Sequence, residues 1–284
     1  MFRRLPSQTR HLTPAPLLSA LVTAALLFGA VSASADTLLP GSDESIAVGR
    51  ETALELTNPT GPDRLPELKS KAAAAISLRQ SRLAELSRRS AKDGDCSRPV
   101  LADLLTADAN ALNSLGTQLA AETDVKRAKD TYRRIYSDLR VYGLESPRVA
   151  LSSSCAIVVA RTVLLQGRIA TLTAAPPPSA DPAVVAATLV DLPARVQATA
   201  DKARIAVQQV TILESDKGDK AVAMANIAAL RDAQDSLKAT EVELTAVDTL
   251  LDGLRKGPKA LKKANRIAAG ASSSTSGPSS TAAP

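Results

Sequence analysis

Thr131–Val149, TYRRIYSDLRVYGLESPRV, is the stretch on which the reading of this 284-residue chain turns. Val125, Ala128, Tyr132, Ile135 and Leu139 step by 3, 4, 3 and 4, which is one apolar face of a helix. Tyr132 and Tyr136 are four apart and sit one above the other. Gly143 relaxes the backbone, Ser146 is placed to cap a new helix, and Pro147 can begin a helix but not continue one. Helix, turn, helix is therefore expected, with the chain reversing here and the other helices arranged around the reversal. Tyr132, Tyr136 and Tyr142 are expected to plug the end of a bundle, rings inward. The competing reading is an aromatic patch for a sugar or a partner.

Upstream, Leu65, Leu68, Ala72, Ile76, Arg79, Leu83 and Leu86 mark a first helix that Asp93-Gly94-Asp95 ends. Pro99 opens a second, whose seam is Leu101, Leu105, Leu112, Leu115 and Leu119. Asp108 fills the missing seam position. A carboxylate there either sets register from a buried place or faces a wet groove, and the wet groove is the favoured reading. Thr123-Asp124 resembles a cap. Without a break there, 98–142 would be one rod of ~67 Å.

Cys96 and Cys155 bear on that question, because a bridge needs their Cα atoms within about 7 Å. A disulfide therefore demands a reversal near Thr123 or a long displaced loop at Gly94. Two buried free thiols are the rival reading. An even count in an exported chain favours the bond, which would close a loop worth ~4 kcal/mol on the chain-entropy account.

Downstream, Leu151, Cys155, Val158, Thr162, Leu165, Ile169 and Leu172 form the cleanest seam of the chain. A proline-rich connection follows at 174–182, and Asp181 caps the next helix. Pro193 is expected to interrupt and kink that helix, which resumes with Val196. Asp216-Lys217-Gly218-Asp219 turns into a long last helix that Gly257-Pro258 stops. Period-two alternation is absent throughout, so the fold class is all-α: an elongated antiparallel helical bundle or coiled-coil hairpins.

The chain opens with Met1-Phe2-Arg3-Arg4, has no acidic residue before Asp36, and runs small and apolar from Leu17 to Val31 into Ala33-Ser34-Ala35. Basic start, short apolar middle and small-residue exit define a cleavable signal peptide over 1–35. A retained anchor fits less well, since the apolar run is short and Ala-rich. Export places the protein outside the cell or on the envelope, with no transmembrane anchor after cleavage. Residues 36–63 are read as a flexible linker, 64–256 as the antiparallel helical domain, and 257–284 as a basic then disordered tail.

Cleavage removes His11, the only histidine, and takes three basic charges and no acidic one from a formal net charge of +6. The near-neutral remainder, with interspersed signs, does not read as a nucleic-acid binder. Without histidine there is no Ser-His-Asp triad, His-paired thiol or His-ligated zinc. Gly-rich phosphate loops and nucleophile elbows are missing as well. Carboxylate chemistry at Asp103 and Asp108, or Asp248 and Asp252, is the least favoured function. Ser152-Ser153-Ser154 reads as a packing face. Neither a cofactor nor a metal site is expected.

Arg255, Lys256, Lys259, Lys262, Lys263 and Arg266 hold six basic charges with no acid among them. They are the candidate anion-binding residues, for lipid head groups or an anionic wall polymer. The plainer alternative is a solvated helix end that complements the macrodipole.

LLTADANALNSL, ETDV and YRRIYSDLRVYGLESPRVAL together resemble a group of uncharacterised, exported, all-helical bacterial proteins of actinobacterial type. The resemblance spans about residues 65–256. It implies a secreted helical fold and carries over no functional residue. The expected function is a secreted cell-envelope interaction or spacer protein without catalysis. The alternative is an amphipathic-helix protein that binds lipid or wall polymer through its basic segment. Candidate partners are an envelope protein, lipid or anionic polymer, and exposed seams leave homo-oligomerisation open.

Overall fold

The structure, a computed structural model, describes residues 64–92, 96, 98–178 and 180–274. The expected signal peptide (1–35), the linker (36–63), the Asp93-Gly94-Asp95 turn and residues 275–284 of the tail lie outside the described residues.

The described residues are all-α, with no strand among them. In order come α1 (Arg64–Ser90), α2 (Arg98–Ala121), α3 (Val125–Ser137), a π-helical turn (Val141–Glu145), α4 (Ser146–Ala174), α5 (Pro182–Leu189), α6 (Leu192–Thr211), α7 (Lys220–Lys256) and α8 (Pro258–Ser274). The sequence leaves open whether 98–142 is one helix or two, and the structure has a break at 122–124. Asp124 caps α3, its Oδ1 accepting from the Arg127 amide at 2.8 Å. Residues 98–142 are thus two helices, and Cys96 and Cys155 meet as a disulfide with Cα atoms 6.0 Å apart. Asp181 and Asp219 cap α5 and α7 in the same way, accepting from Ala183 and Ala221 amides.

Two apolar clusters make the core. One gathers Leu68, Leu83, Leu105, Leu112, Tyr132, Ile135 and Val149 from α1, α2, α3 and the start of α4. The other gathers Leu151, Leu165, Val196, Val207, Leu244, Leu251 and Leu261 from α4, α6, α7 and α8. The reversal expected within 131–149 is not there. α3 belongs to the first cluster, most of α4 to the second, and the two helices do not lie along each other. The stretch hands the chain from one cluster to the next. Gly143 lies inside the π-turn, and Ser146 is not a cap: its hydroxyl donates to the Val141 carbonyl at 3.0 Å and accepts from Arg82 Nε at 3.2 Å.

Where the clusters overlap, α4 has no outer side. Every residue from Arg148 to Cys155 is buried, a run of more than two turns. Val125–Ala174 contains a window long and apolar enough to cross a membrane by composition, and half of that window is buried inside the protein. Burial of this kind is what a core helix shows.

The helix is interrupted near Pro193 as expected, but by a break and not a kink. α5 ends at Leu189, and the proline falls in the first turn of α6, where its missing N–H costs nothing. The basic segment also differs from expectation. Gly257 adopts φ +96°, a left-handed value that glycine takes without strain. The chain then folds back as α8, with Leu261, Ala264 and Ala268 buried against α7. A Cβ on Gly253 would stand 3.0 Å from Ala264 Cβ and 3.1 Å from Leu261 Cα, so glycine is what lets the two helices touch.

Candidate functional site

Four constellations hold the polar side chains that deserve a functional reading. The first is buried at the overlap of the two clusters. Arg148 is 2% exposed. Its Nε donates to the Val210 carbonyl at 2.9 Å, one terminal nitrogen donates to the Leu213 carbonyl, and the other meets Glu145 Oε1 at 2.5 Å. Val210 lies in the last turn of α6 and Leu213 two residues beyond its end, where the macrodipole is negative. The guanidinium therefore caps one helix with a side chain from another.

Glu145 is 4% exposed, and its Oε2 has no hydrogen-bond partner. Burial pushes its carboxyl up to about 7; Arg148 pulls it back and Asp108 pushes it further. Asp108, half-buried on α2, is raised by burial against the pull of Arg148. Asp108 is thus partly buried, as a residue facing a groove would be, and it feels the charge of Arg148. The α6–α7 loop closes on the same region. Arg140 Nε pairs with buried Asp216 at 3.0 Å, and Ser215 donates to the Ser137 carbonyl at 2.6 Å.

In the second constellation the three tyrosines do come together, around a charge. Arg79, 5% exposed, places its guanidinium carbon 4.1 Å from the Tyr136 ring centroid and 5.6 Å from that of Tyr142. Tyr132 and Tyr136 meet edge to face at 5.3 Å, with hydroxyls 3.0 Å apart. Burial lowers the Arg79 pKa, while Tyr136, Tyr142 and Tyr132 raise it. The aromatic patch is occupied from within, which leaves a packing role.

Asp248 and Asp252 form the third. Both accept from Arg168 of α4, Asp252 at 2.6 Å, and Arg161 lies 3.8 Å from Asp248. On the neighbouring face Arg195 and Lys202 share Glu243 at 3.1 and 3.5 Å. These are clamps between helices. Asp103 is exposed and apart from them. Ser152 donates to the Cys96 carbonyl and Ser153 to that of Val149, so neither hydroxyl is poised as a nucleophile. Among the described residues no group of three or more His, Cys, Asp or Glu is placed to hold a metal.

The fourth is the basic segment. Arg255, Lys256, Lys259, Lys262, Lys263 and Arg266 are all exposed, at the end of α7 and along α8. They were legible in the sequence as a charge run. The buried cluster was not, although Arg79 and Arg148 each occupy a seam position, and a charge at such a position was the available sign.

No protein-family model matches the chain, and neither a curated protein nor a solved structure is significantly similar to it.

Proposed function

We propose that this chain is an exported helical protein of the bacterial cell envelope that works by contact and catalyses nothing. The observation that carries the reading is the cationic end of the molecule. Arg255, Lys256, Lys259, Lys262, Lys263 and Arg266 are exposed, and none has an acidic partner among the described residues. Some surface cations elsewhere pair with an acid close by, as Arg82 does with Glu85, Arg133 with Asp130, Arg204 with Asp201 and Arg168 with Asp248 and Asp252, whereas here six cations run together with no acidic residue after Asp252. A solvated face of mixed sign is the ordinary outcome, and this end departs from it.

Export is supported by the basic, apolar and small-residue start of the sequence and by the buried Cys96–Cys155 disulfide. The resemblance to uncharacterised secreted helical bacterial proteins belongs to the same reading. The non-catalytic character rests on the residue inventory and on the engagement of Asp248 and Asp252 by Arg168. Lipid insertion by the basic segment is disfavoured, because Leu261, Ala264 and Ala268 of α8 are buried against α7 and leave Ile267 as its one exposed large apolar side chain.

Cell fractionation with mass spectrometry tests the proposal. The expected result is a processed chain beginning at Asp36, recovered with the envelope and released by about 0.5 M salt. Recovery of the full-length chain from the cytosol would overturn it.

A further inference from the structure

We infer that the outer face of α8 is a docking strip for a linear phosphodiester polymer, an inference that rests on the envelope reading above. Going round a helix at about 100° per residue, Lys259, Lys262, Lys263 and Arg266 fall on the side opposite Leu261, Ala264 and Ala268. All four are exposed, while the three opposite are buried. Along the axis the strip runs about 10 Å from Lys259 to Arg266, with Lys262 and Lys263 between. The reversal at Gly257 sets Arg255 and Lys256, also exposed, at the near end. No acidic residue follows Asp252 in the sequence. Asp248 and Asp252 are already engaged by Arg168.

Three features choose the occupant. Cations in a row at intervals of about one helical turn ask for a partner whose charge repeats along a line, which a small single anion does not offer. Lysine predominates, and an ammonium group meets a phosphate oxygen as a point charge, with no need for the planar two-bond registration by which arginine grips a carboxylate or a phosphate. The strip is also preorganised, since the close approach at Gly253 fixes α8 on α7 before any ligand arrives.

Two other polyanion surfaces fit less well. A bilayer calls for an apolar face beside the basic one, and here Ile267 is the only exposed large apolar side chain on α8. A single-stranded nucleic acid is held by aromatic stacking as well as charge. No aromatic residue lies on α7 or α8; the tyrosines sit in the other cluster.

The test is titration of the processed chain with fluorescently labelled poly(glycerol phosphate) over a range of salt. A linear polyuronate of matched length and vesicles of anionic and zwitterionic phospholipid serve as rival probes. The polymer should bind with a strongly negative salt slope. The double variant Lys262→Gln, Lys263→Gln should weaken binding by at least about tenfold at low salt and reduce the slope by about 1.4. Arg88→Gln with Arg89→Gln, at the exposed end of α1, should leave both unchanged.

Equal or tighter binding of the polyuronate or the vesicles would overturn the inference, as would equal losses in the two double variants. Absence of polymer binding from a chain still recovered with the envelope rejects the strip alone. Recovery from the cytosol rejects the envelope reading, whatever the titration gives.

Discussion

Arg148 Nε donates to the carbonyl of Val210 at 2.9 Å, across 62 residues of sequence. That bond, with its companion to Leu213, fastens the start of α4 to the end of α6 and leaves the remaining donors for Glu145. A charge buried this deeply is tolerable because its partners are all in place, and its value lies in what removal leaves behind.

Arg148→Ala leaves buried Glu145 without its counter-charge and takes a donor from the carbonyls of Val210 and Leu213. Chemical denaturation should show a loss of about 3–5 kcal/mol. Replacing both partners, Arg148→Met with Glu145→Leu, should cost far less, because no unpaired charge remains. If the double variant is as unstable as the single, the pair is not the source of the penalty.

Glu145 makes stability depend on pH in a defined direction. Its carboxyl lies at about 7 in the folded chain against 4.5 as its ordinary value. The folded state therefore takes up the proton more readily than the unfolded one. The stabilisation is complete below about 4.5 and is lost as pH rises through 7, by about 3 kcal/mol. Asp108, raised by burial, acts with the same sign. Urea midpoints at pH 5 and pH 8 should differ accordingly, and Glu145→Gln should remove most of the difference.

Cys96 and Cys155 are 3% and 0% exposed and 59 positions apart. Reduction, or Cys96→Ala with Cys155→Ala, should lower stability by ~4 kcal/mol. The buried sulfurs should resist reductant until the chain is unfolded. Thiol labelling with and without denaturant reads both effects.

Gly253 and Gly167 make an internal contrast. At Gly253 a methyl group would collide with Ala264 and the Leu261 backbone, while at Gly167 nothing lies within 4 Å. Gly253→Ala should cost about 1–3 kcal/mol and lower amide protection in α8. Gly167→Ala, inside exposed helix, should gain about 0.5–1 kcal/mol. Hydrogen exchange on both variants distinguishes a local loosening of the hairpin from a global effect.

Local chemistry was the legible part of this fold. Asp124, Asp181, Asp219 and Gly257 mark boundaries because capping and left-handed backbone are decided by the residue itself. The seams of α2 and α4 could be read because burial repeats with the helical period. The handover at 131–149 reads as a reversal from sequence alone, because Gly143 and Pro147 permit a turn but do not fix the path. α8 reads as tail from the sequence because its small apolar face, Leu261, Ala264 and Ala268, is completed only by α7. The polar centre was hidden for a related reason. The partners of Arg148 are backbone carbonyls, and a carbonyl has no letter in the sequence.

The stretch from Arg148 to Cys155, with no outer side, has a consequence for how this protein comes apart. Neither set of helices can be peeled away without baring the same eight residues to water. Melting should therefore run as a single all-or-none step, so that probes in Tyr136 and in α7 lose their signals at one temperature.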